Sequence, residues 1–278
     1  MIYIDVIVPT FNEAAVIRDC LDSLGAAVVE LNRQERNSVQ VRITVTDGGS
    51  VDGTQRISKE TSTKQCPIEV IEQPQDGKRG RGAVLRRAAK VKDPERSEDF
   101  FVFLHADCTV SRRFFIDLLQ YIRKHPEVCC GFCRMSFGRT TMDFKSLQFM
   151  ASFDSPLTSF GDQSIIVKKS TYRDVGGMPD QPLCEDVEFF SRCRRAGWTP
   201  RCFPMTISVS PRKFDERGVW TYMMQCCVVC TMYHAGVDSK TLLRLYSNPN
   251  FLLGFNKALA GFMIAVLSLI LTCIYFNL

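Results

Sequence analysis

The chain has 278 residues, 45% of them hydrophobic and 23% charged, the proportions of an ordinary globular protein with room for one large domain or two small ones. Its formal net charge of +5 suits an anionic small ligand or an anionic membrane surface. There is no basic stripe interleaved with aromatics, so the charge does not point to nucleic acid.

Residues 2–8, Ile-Tyr-Ile-Asp-Val-Ile-Val, read as a first strand. Pro9 ends it, and Asn12 is placed to cap a helix over 13–32. In that helix Val16, Ile17, Leu21, Leu24, Val28 and Leu31 fall at helical spacing. Residues 41–45 form a second strand, 53–60 a helix and 68–71 a third strand. A basic helix follows over 82–91. Phe100 to Leu104 is apolar without a break, as in a strand buried on both faces of a parallel sheet. Alternation of strand and helix with short links predicts a doubly wound, Rossmann-like, mostly parallel sheet flanked by helices. A helix is expected over 112–124. Beyond residue 126 the stretches lengthen, with strand-like pieces at 128–137 and 163–168 and helical runs at 185–196 and 216–234.

The tail differs. Residues 258–276 carry no charge, and 19 residues at about 1.5 Å each approach the roughly 30 Å core of a bilayer. The predicted organisation is a domain over 1–247, a linker over 248–257 and a C-terminal transmembrane helix over 258–276. Lys240, Arg244 and Lys257 precede that helix, which places the larger domain on the cytoplasmic side. The alternative is a helix packed in the core or at a subunit interface. The 13 cysteines are expected to follow no signal peptide and to be reduced thiols. Two Cys-x-x-Cys pairs, Cys130/Cys133 and Cys227/Cys230, allow a zinc site, but both lie in apolar runs where cysteine packs as a small hydrophobe.

In such a sheet ligands bind at the carboxyl ends of the strands, so the loops there carry the chemistry. After the first strand stands Pro9-Thr10-Phe11-Asn12-Glu13, whose backbone and helix start face that edge. After the second stands Asp47-Gly48-Gly49-Ser50-Val51-Asp52-Gly53-Thr54. Its glycines admit close backbone approach, Asp47 can accept from a base or ribose, and Asp52 can cap a helix or contact ribose. Neither a P-loop nor a dinucleotide fingerprint is present. Gly77-Lys78-Arg79-Gly80-Arg81-Gly82 suits a diphosphate, and the alternative is a solvated basic surface. After the fourth strand, His105-Ala106-Asp107 ends in a carboxylate suited to Mg²⁺ or Mn²⁺, or Asp107 or Thr109 simply starts the next helix.

In order and spacing, Val8 to Glu13, Asp47 to Thr54, Gly80-Arg81-Gly82 and His105-Ala106-Asp107 resemble the family-2 inverting glycosyltransferases with the GT-A fold. Phe160 to Gln163, Val175 to Pro179, Pro182 to Val187 and Ser210 to Lys213 look like the subgroup associated with arsenosugar biosynthesis. The resemblance implies a donor that is a UDP- or GDP-linked sugar and a divalent metal cofactor. It implies that Pro9, Asn12 and Glu13 line the nucleotide pocket, that Asp47 contacts the base with Asp52 supporting its loop, and that Arg81 meets the diphosphate. Asp107 matches the last aspartate of the metal-binding Asp-x-Asp motif. His105 replaces the first aspartate, as a metal ligand, a donor hydrogen bond or only a packed ring. Asp186 would be the general base, and Glu185 would orient acceptor or loop. Arg212 would serve the phosphate, and Asp162 and Gln163 would touch donor sugar or acceptor. The acceptor is open; a lipid phosphate reached from the bilayer is one alternative, and a homo-oligomer is compatible with the chain. A non-catalytic binder of nucleotide sugars is the rival class; a nucleotidyltransferase is a weaker rival, because its glycine-rich loop should follow the first strand, where Pro-Thr-Phe-Asn-Glu stands instead.

Overall fold

A computed structural model describes residues 2–35, 38–72, 80–92, 99–154 and 161–248. The expected membrane helix over 258–276, and Gly77, Lys78 and Arg79, lie outside these. Among the described residues no helix is long and apolar enough to cross a membrane.

The chain divides into two units at Pro211/Arg212. The first holds one sheet of eight strands: β1 (Ile2–Thr10), β2 (Val39–Asp47), β3 (Ile68–Ile71), β4 (Phe100–Phe103), β5 (Cys108–Val110), β6 (Cys130–Ser136), β7 (Ile165–Lys168) and β8 (Arg201–Val209). Their order across the sheet is β3-β2-β1-β4-β7-β6-β8-β5. β1 to β4 run parallel, as expected. β7 is antiparallel to β4 and to β6, and β5 is antiparallel to β8. The sheet is therefore mostly parallel, with two reversed strands, rather than wholly parallel. Its helices in this unit are α1 (Ile17–Gln34), α2 (Thr54–Thr61), α3 (Arg81–Val91), α4 (Phe114–Lys124), α5 (Met142–Met150), α6 (Lys169–Asp174) and α7 (Glu185–Arg195).

Burial explains the central strands. All four residues of β4 are buried, as are Ile4, Val6, Ile7 and Val8 of β1. One core joins Phe101 and Phe103 of β4, Phe132 of β6 and Tyr172 of α6 to Phe189 and Phe190 of α7. Each aromatic so buried is worth about 1.5–3 kcal/mol, so this cluster fixes α7 against the sheet. β8 escapes sequence reading because Pro204 interrupts it. The proline, lacking an N–H, sits where the β6–β8 register shifts from Cys133↔Phe203 to Arg134↔Thr206, the kind of irregularity that tolerates it.

Two helix starts differ from expectation. α1 begins at Ile17, not residue 13, and Asn12 does not cap it: Asn12 takes a left-handed φ of 56° and its Oδ1 accepts from Val51 N at 3.0 Å. Asp107 and Thr109 do not start α4, because Cys108 to Val110 extend as β5 and the helix opens at Phe114.

Before β4 lies a buried charge cluster. Lys169, wholly buried, places Nζ 2.6 Å from Asp5 Oδ2 and 3.8 Å from Asp99 Oδ2. It also donates to the Lys92 carbonyl at 2.8 Å. Arg42 Nε and Nη2 clasp Asp5 at 2.5 and 2.6 Å, and Asp99 Oδ1 accepts from Tyr3 N at 2.9 Å.

The second unit contains α8 (Arg212–Arg217), α9 (Val219–His234) and α10 (Ser239–Ser247). Arg217 donates to Gln225 Oε1 at 3.0 Å, and Gln225 donates to the Tyr246 carbonyl at 2.8 Å. Asp238 caps α10 by accepting from Lys240 N and Thr241 N.

Candidate functional site

Thr10 and Asp47 are the last residues of neighbouring parallel strands, so their loops lie side by side. These loops are tied to each other. Asp47, fully buried, accepts at Oδ1 from Thr10 Oγ1 (2.8 Å) and Ser50 Oγ (2.5 Å). At Oδ2 it accepts from Gly49 N (2.9 Å), Ser50 N (2.8 Å) and Gln55 Nε2 (2.8 Å). Burial pushes the Asp47 carboxyl up, but the hydrogen bonds from Ser50, Gln55 and Thr10 outweigh it and hold it below its ordinary value. Asp52 accepts at Oδ1 from Thr54 Oγ1 (2.5 Å) and Thr54 N (3.1 Å), and at Oδ2 from Ala14 N (2.9 Å). The Thr54 hydroxyl, first among these, keeps Asp52 low as well. Glu13 N donates to Thr54 Oγ1 and Asn12 N to Ser50 Oγ, at 2.9 and 2.8 Å. Asp47 and Asp52 thus organise the loops that the strands present. Among the donors are the side chains of Thr10, Ser50 and Thr54, which stand in the two loop motifs but were given no role there, and of Gln55, which lies just beyond them.

A pocket opens beside these loops, walled by Pro9, His105, Arg81, Gly161, Glu185 and Asp186, with Phe103, Ile165 and Met178 as its apolar side. α3 brings Arg81 there. It can do so because Gly82 packs on the 179–181 loop so closely that a Cβ would fall 2.2 Å from the Pro179 carbonyl oxygen. α7 brings Glu185 and Asp186 on its first turn.

Arg81 is the hub. Its Nε donates to Glu185 Oε1 and its Nη2 to Asp186 Oδ2 at 3.1 Å. Its Nη1 lies 2.7 Å from His105 Nε2 and 3.6 Å from Asp162 Oδ1. Burial would lower the Arg81 pKa, but Glu185, Asp186 and Asp162 reverse this and raise it well above its ordinary value. Glu185 is 2% exposed; burial raises its pKa above the usual range, with Arg81 opposing and Asp186 adding to the rise. Asp186 Oδ2 also accepts from Gly161 N at 2.7 Å, and Oδ1 from Val187 N at 2.8 Å. Gly161 belongs to the Phe160 to Gln163 motif but was given no role there; a Cβ on it would lie 2.9 Å from Asp186 Oδ2. Around one guanidinium stand three carboxylates, Asp162, Glu185 and Asp186, a formal excess of two negative charges when all are ionised.

Residues 5–177 match Glycosyl transferase family 2, which is more than half of the chain. The chain belongs to that family. It is 30% identical over 205 residues to the glycosyltransferase AglE of Haloferax volcanii; the match covers 71% of this chain and 63% of that protein's length. Its fold is that of the mannosyltransferase PcManGT from Pyrobaculum calidifontis, solved with GDP-Man and Mn²⁺ (TM-score 0.62, 19% identity, 91% of this chain and 70% of that one). S. aureus TarS 1–349 with UDP-GlcNAc shares it too (TM-score 0.54, 16% identity, 93% and 74%). So does the glucosyl-3-phosphoglycerate synthase from Mycobacterium tuberculosis with Mn²⁺, UDP and glucosyl-3-phosphoglycerate (TM-score 0.52, 17% identity, 84% and 80%). The expected GT-A-like α/β architecture is therefore present in this family-2 chain.

The remaining expected residues separate. Asp107 is half-buried just past the end of β4, with Cys108 Sγ 3.7 Å from Oδ1 and its own carbonyl accepting from Ser210 N at 3.1 Å. Among the described residues no three His, Cys, Asp or Glu side chains are grouped to hold a metal. A magnesium-like ion bound through one carboxylate and substrate phosphates needs no such group, and Asp107 fits that mode. His105 fits it less well, since both ring nitrogens face protein partners: Nδ1 is 3.0 Å from Asp162 Oδ1 and Nε2 faces Arg81. Gln163 is fully buried and donates to the Ala151 carbonyl. Arg212 opens α8 in the second unit. The twelve described cysteines are free thiols; Cys130 and Cys133 are buried in β6, and Cys227 and Cys230 lie on α9.

Proposed function

We propose that this protein is an inverting glycosyltransferase that moves a sugar from a nucleoside-diphosphate donor, UDP- or GDP-linked, to an acceptor hydroxyl. The observation that carries the proposal is Asp186 on the pocket wall, its carboxylate held in place by Gly161 N, Val187 N and Arg81. In the proposed reaction the acceptor oxygen forms a bond to the anomeric carbon as the carbon–oxygen bond to the diphosphate breaks. The acceptor's proton passes to Asp186, and the diphosphate leaves with the bonding electron pair. Arg81 would receive the diphosphate: a guanidinium has five N–H donors in a fork that suits phosphate, and three are engaged by Glu185, Asp186 and His105. Glu185 positions Arg81. Pro9, Asn12, Glu13, Asp47 and Asp52 supply the preformed loops beside which the nucleotide would lie.

A diphosphate entering a pocket with three carboxylates and one guanidinium meets net repulsion. This supports a divalent cation, Mn²⁺ or Mg²⁺, on Asp107, which when bound supplies charge stabilisation to the departing diphosphate. PcManGT and the phosphoglycerate synthase, both solved with Mn²⁺, share the fold and support the same reading.

The finer likeness to the arsenosugar-associated subgroup belongs to this proposal and leaves the acceptor open. A lipid-phosphate acceptor is the second reading, favoured by the uncharged stretch 258–276, which would tether the enzyme with its catalytic unit facing the cytoplasm. The test is a thermal-shift screen of the full chain against UDP-, GDP- and dTDP-sugars, with and without Mn²⁺. One nucleotide class should raise Tm, more with Mn²⁺. No shift with any donor would contradict the proposal, whereas a shift without donor turnover on any acceptor or water would favour a non-catalytic binder.

A further inference from the structure

We infer that His105 is a positioning residue for Arg81, holding its guanidinium ready for the donor diphosphate, rather than a metal ligand. The inference rests on the reading of this pocket as a nucleoside-diphosphate site.

The hydrogen bonds assign the tautomer. Arg81 Nη1 lies 2.7 Å from His105 Nε2 and 3.5 Å from Nδ1, and because Arg81 has donors only, the nearer Nε2 is the nitrogen placed to accept. The ring proton then sits on Nδ1 and is donated to Asp162 Oδ1 at 3.0 Å. Arg81 thus stands against the ring nitrogen that a metal would need. The backbone around His105 is held from several sides: the preceding residue, Leu104, donates to Ile7 O (3.1 Å) on one side and Cys108 N to His105 O (3.1 Å) on the other. Cys20 Sγ also reaches His105 O at 3.7 Å. The side chain is 13% exposed. A ring anchored in this way can hold a flexible arginine.

Charge explains why an imidazole suits this place. Nε and Nη2 of Arg81 face carboxylates, and a carboxylate at position 105 would add a fourth to the three already present. That would deepen the repulsion a diphosphate meets. A neutral acceptor orients Nη1 without adding charge. If the imidazole were lost, Asp162 Oδ1, now 3.6 Å from Nη1, would be free to draw the guanidinium to itself.

The experiment is calorimetric titration of the full chain with UDP and with GDP, in EDTA and in Mn²⁺. It uses His105→Phe, His105→Gln, Arg81→Ala and the double variant Arg81→Ala/His105→Phe. Hydrogen bonds to charged groups are worth about 1.5–3 kcal/mol, so His105→Phe should weaken binding roughly 10- to 100-fold. The loss should persist in EDTA. His105→Gln, whose amide oxygen can accept from Nη1, should recover most of it, and His105→Phe should add almost nothing once Arg81 is alanine. If His105→Phe does not fold by circular dichroism, His105→Ala replaces it in the same cycle. A loss seen only with Mn²⁺, or one undiminished in the Arg81→Ala background, would overturn the inference while leaving the nucleotide reading intact. A wild-type chain that binds neither nucleotide would overturn both.

Discussion

Strand β4 has a charged cluster at each end, and the two are built differently. Before it, Lys169 and Arg42 face Asp5 and Asp99, two cations against two anions. After it, Arg81 alone faces Asp162, Glu185 and Asp186, with His105 between. The first cluster is balanced and closed; Lys169, Asp5 and Asp99 are almost wholly buried. The second carries excess negative charge, lines a pocket and leaves Asp162 40% exposed. A buried pair that balances itself holds a fold together, whereas an unbalanced one beside a pocket invites a charged ligand. Burial alone would not have told them apart.

That contrast can be broken first at the closed end. Lys169→Met removes its only fully buried cation, leaving Asp5 to Arg42 and Asp99 without a paired cation, so unfolding by urea should show a loss of about 3–5 kcal/mol. Nucleotide affinity of the folded fraction should stay near wild type. Next, Gly82→Ala pushes a Cβ against the Pro179 carbonyl and displaces Arg81 from its partners. Overpacking of this kind costs about 1–3 kcal/mol, and here it should weaken UDP or GDP binding while the Lys169 cluster is untouched. The same scan compared with Lys169→Met separates the two ends of β4 by their effects on ligand and on fold.

Glu185→Gln sharpens the comparison through pH. Burial raises the Glu185 pKa in the folded protein, so the folded state holds that proton more tightly than the unfolded chain. Wild-type stability from this group is greatest below the ordinary value near 4.5 and is lost as pH rises through the raised one. Melting from pH 4 to 8 should show the variant gaining on wild type as pH rises, though with weaker nucleotide binding. An exposed pair provides the reference with the smallest effect. Glu35, bonded to Arg123 and Ser38, has its pKa lowered to about 2. Its contribution is present above about 4.5 and lost as pH falls toward about 2. Arg123→Ala should cost no more than about 0.2–1 kcal/mol at neutral pH and nothing measurable near pH 2.

Much of this was legible in the chain. The unbroken apolar run of β4 announced a central strand with Asp107 past its end, and the likeness to the family-2 motif drew attention to the Glu185-Asp186 pair. What was hidden depends on contacts distant in sequence. Arg81 lies 104 and 105 positions from Glu185 and Asp186, so no spacing rule joins them. Asp47 reads as a ligand group, but five protein donors surround it, four from residues 49–55 and one, Thr10 Oγ1, from 37 positions away. His105 takes the place of a metal-binding aspartate in the resembled motif, and the sequence left it open as a ligand, a hydrogen-bond partner or a packed ring; its neighbours in space are Arg81 and Asp162. β8 was masked by Pro204, whose missing N–H falls at a register shift that only pairing with β6 reveals.

The most direct test of the proposed chemistry is the turnover of Asp186→Asn, measured as release of nucleoside diphosphate under saturating donor, beside donor affinity by calorimetry. Asparagine keeps the shape and the bond from Gly161 N but cannot take the acceptor's proton. General-base catalysis contributes about 10²- to 10⁴-fold, so kcat should fall by that factor with donor Kd within about threefold of wild type. A variant that keeps most of its kcat, or loses donor binding instead, would contradict the assignment of Asp186 as the base.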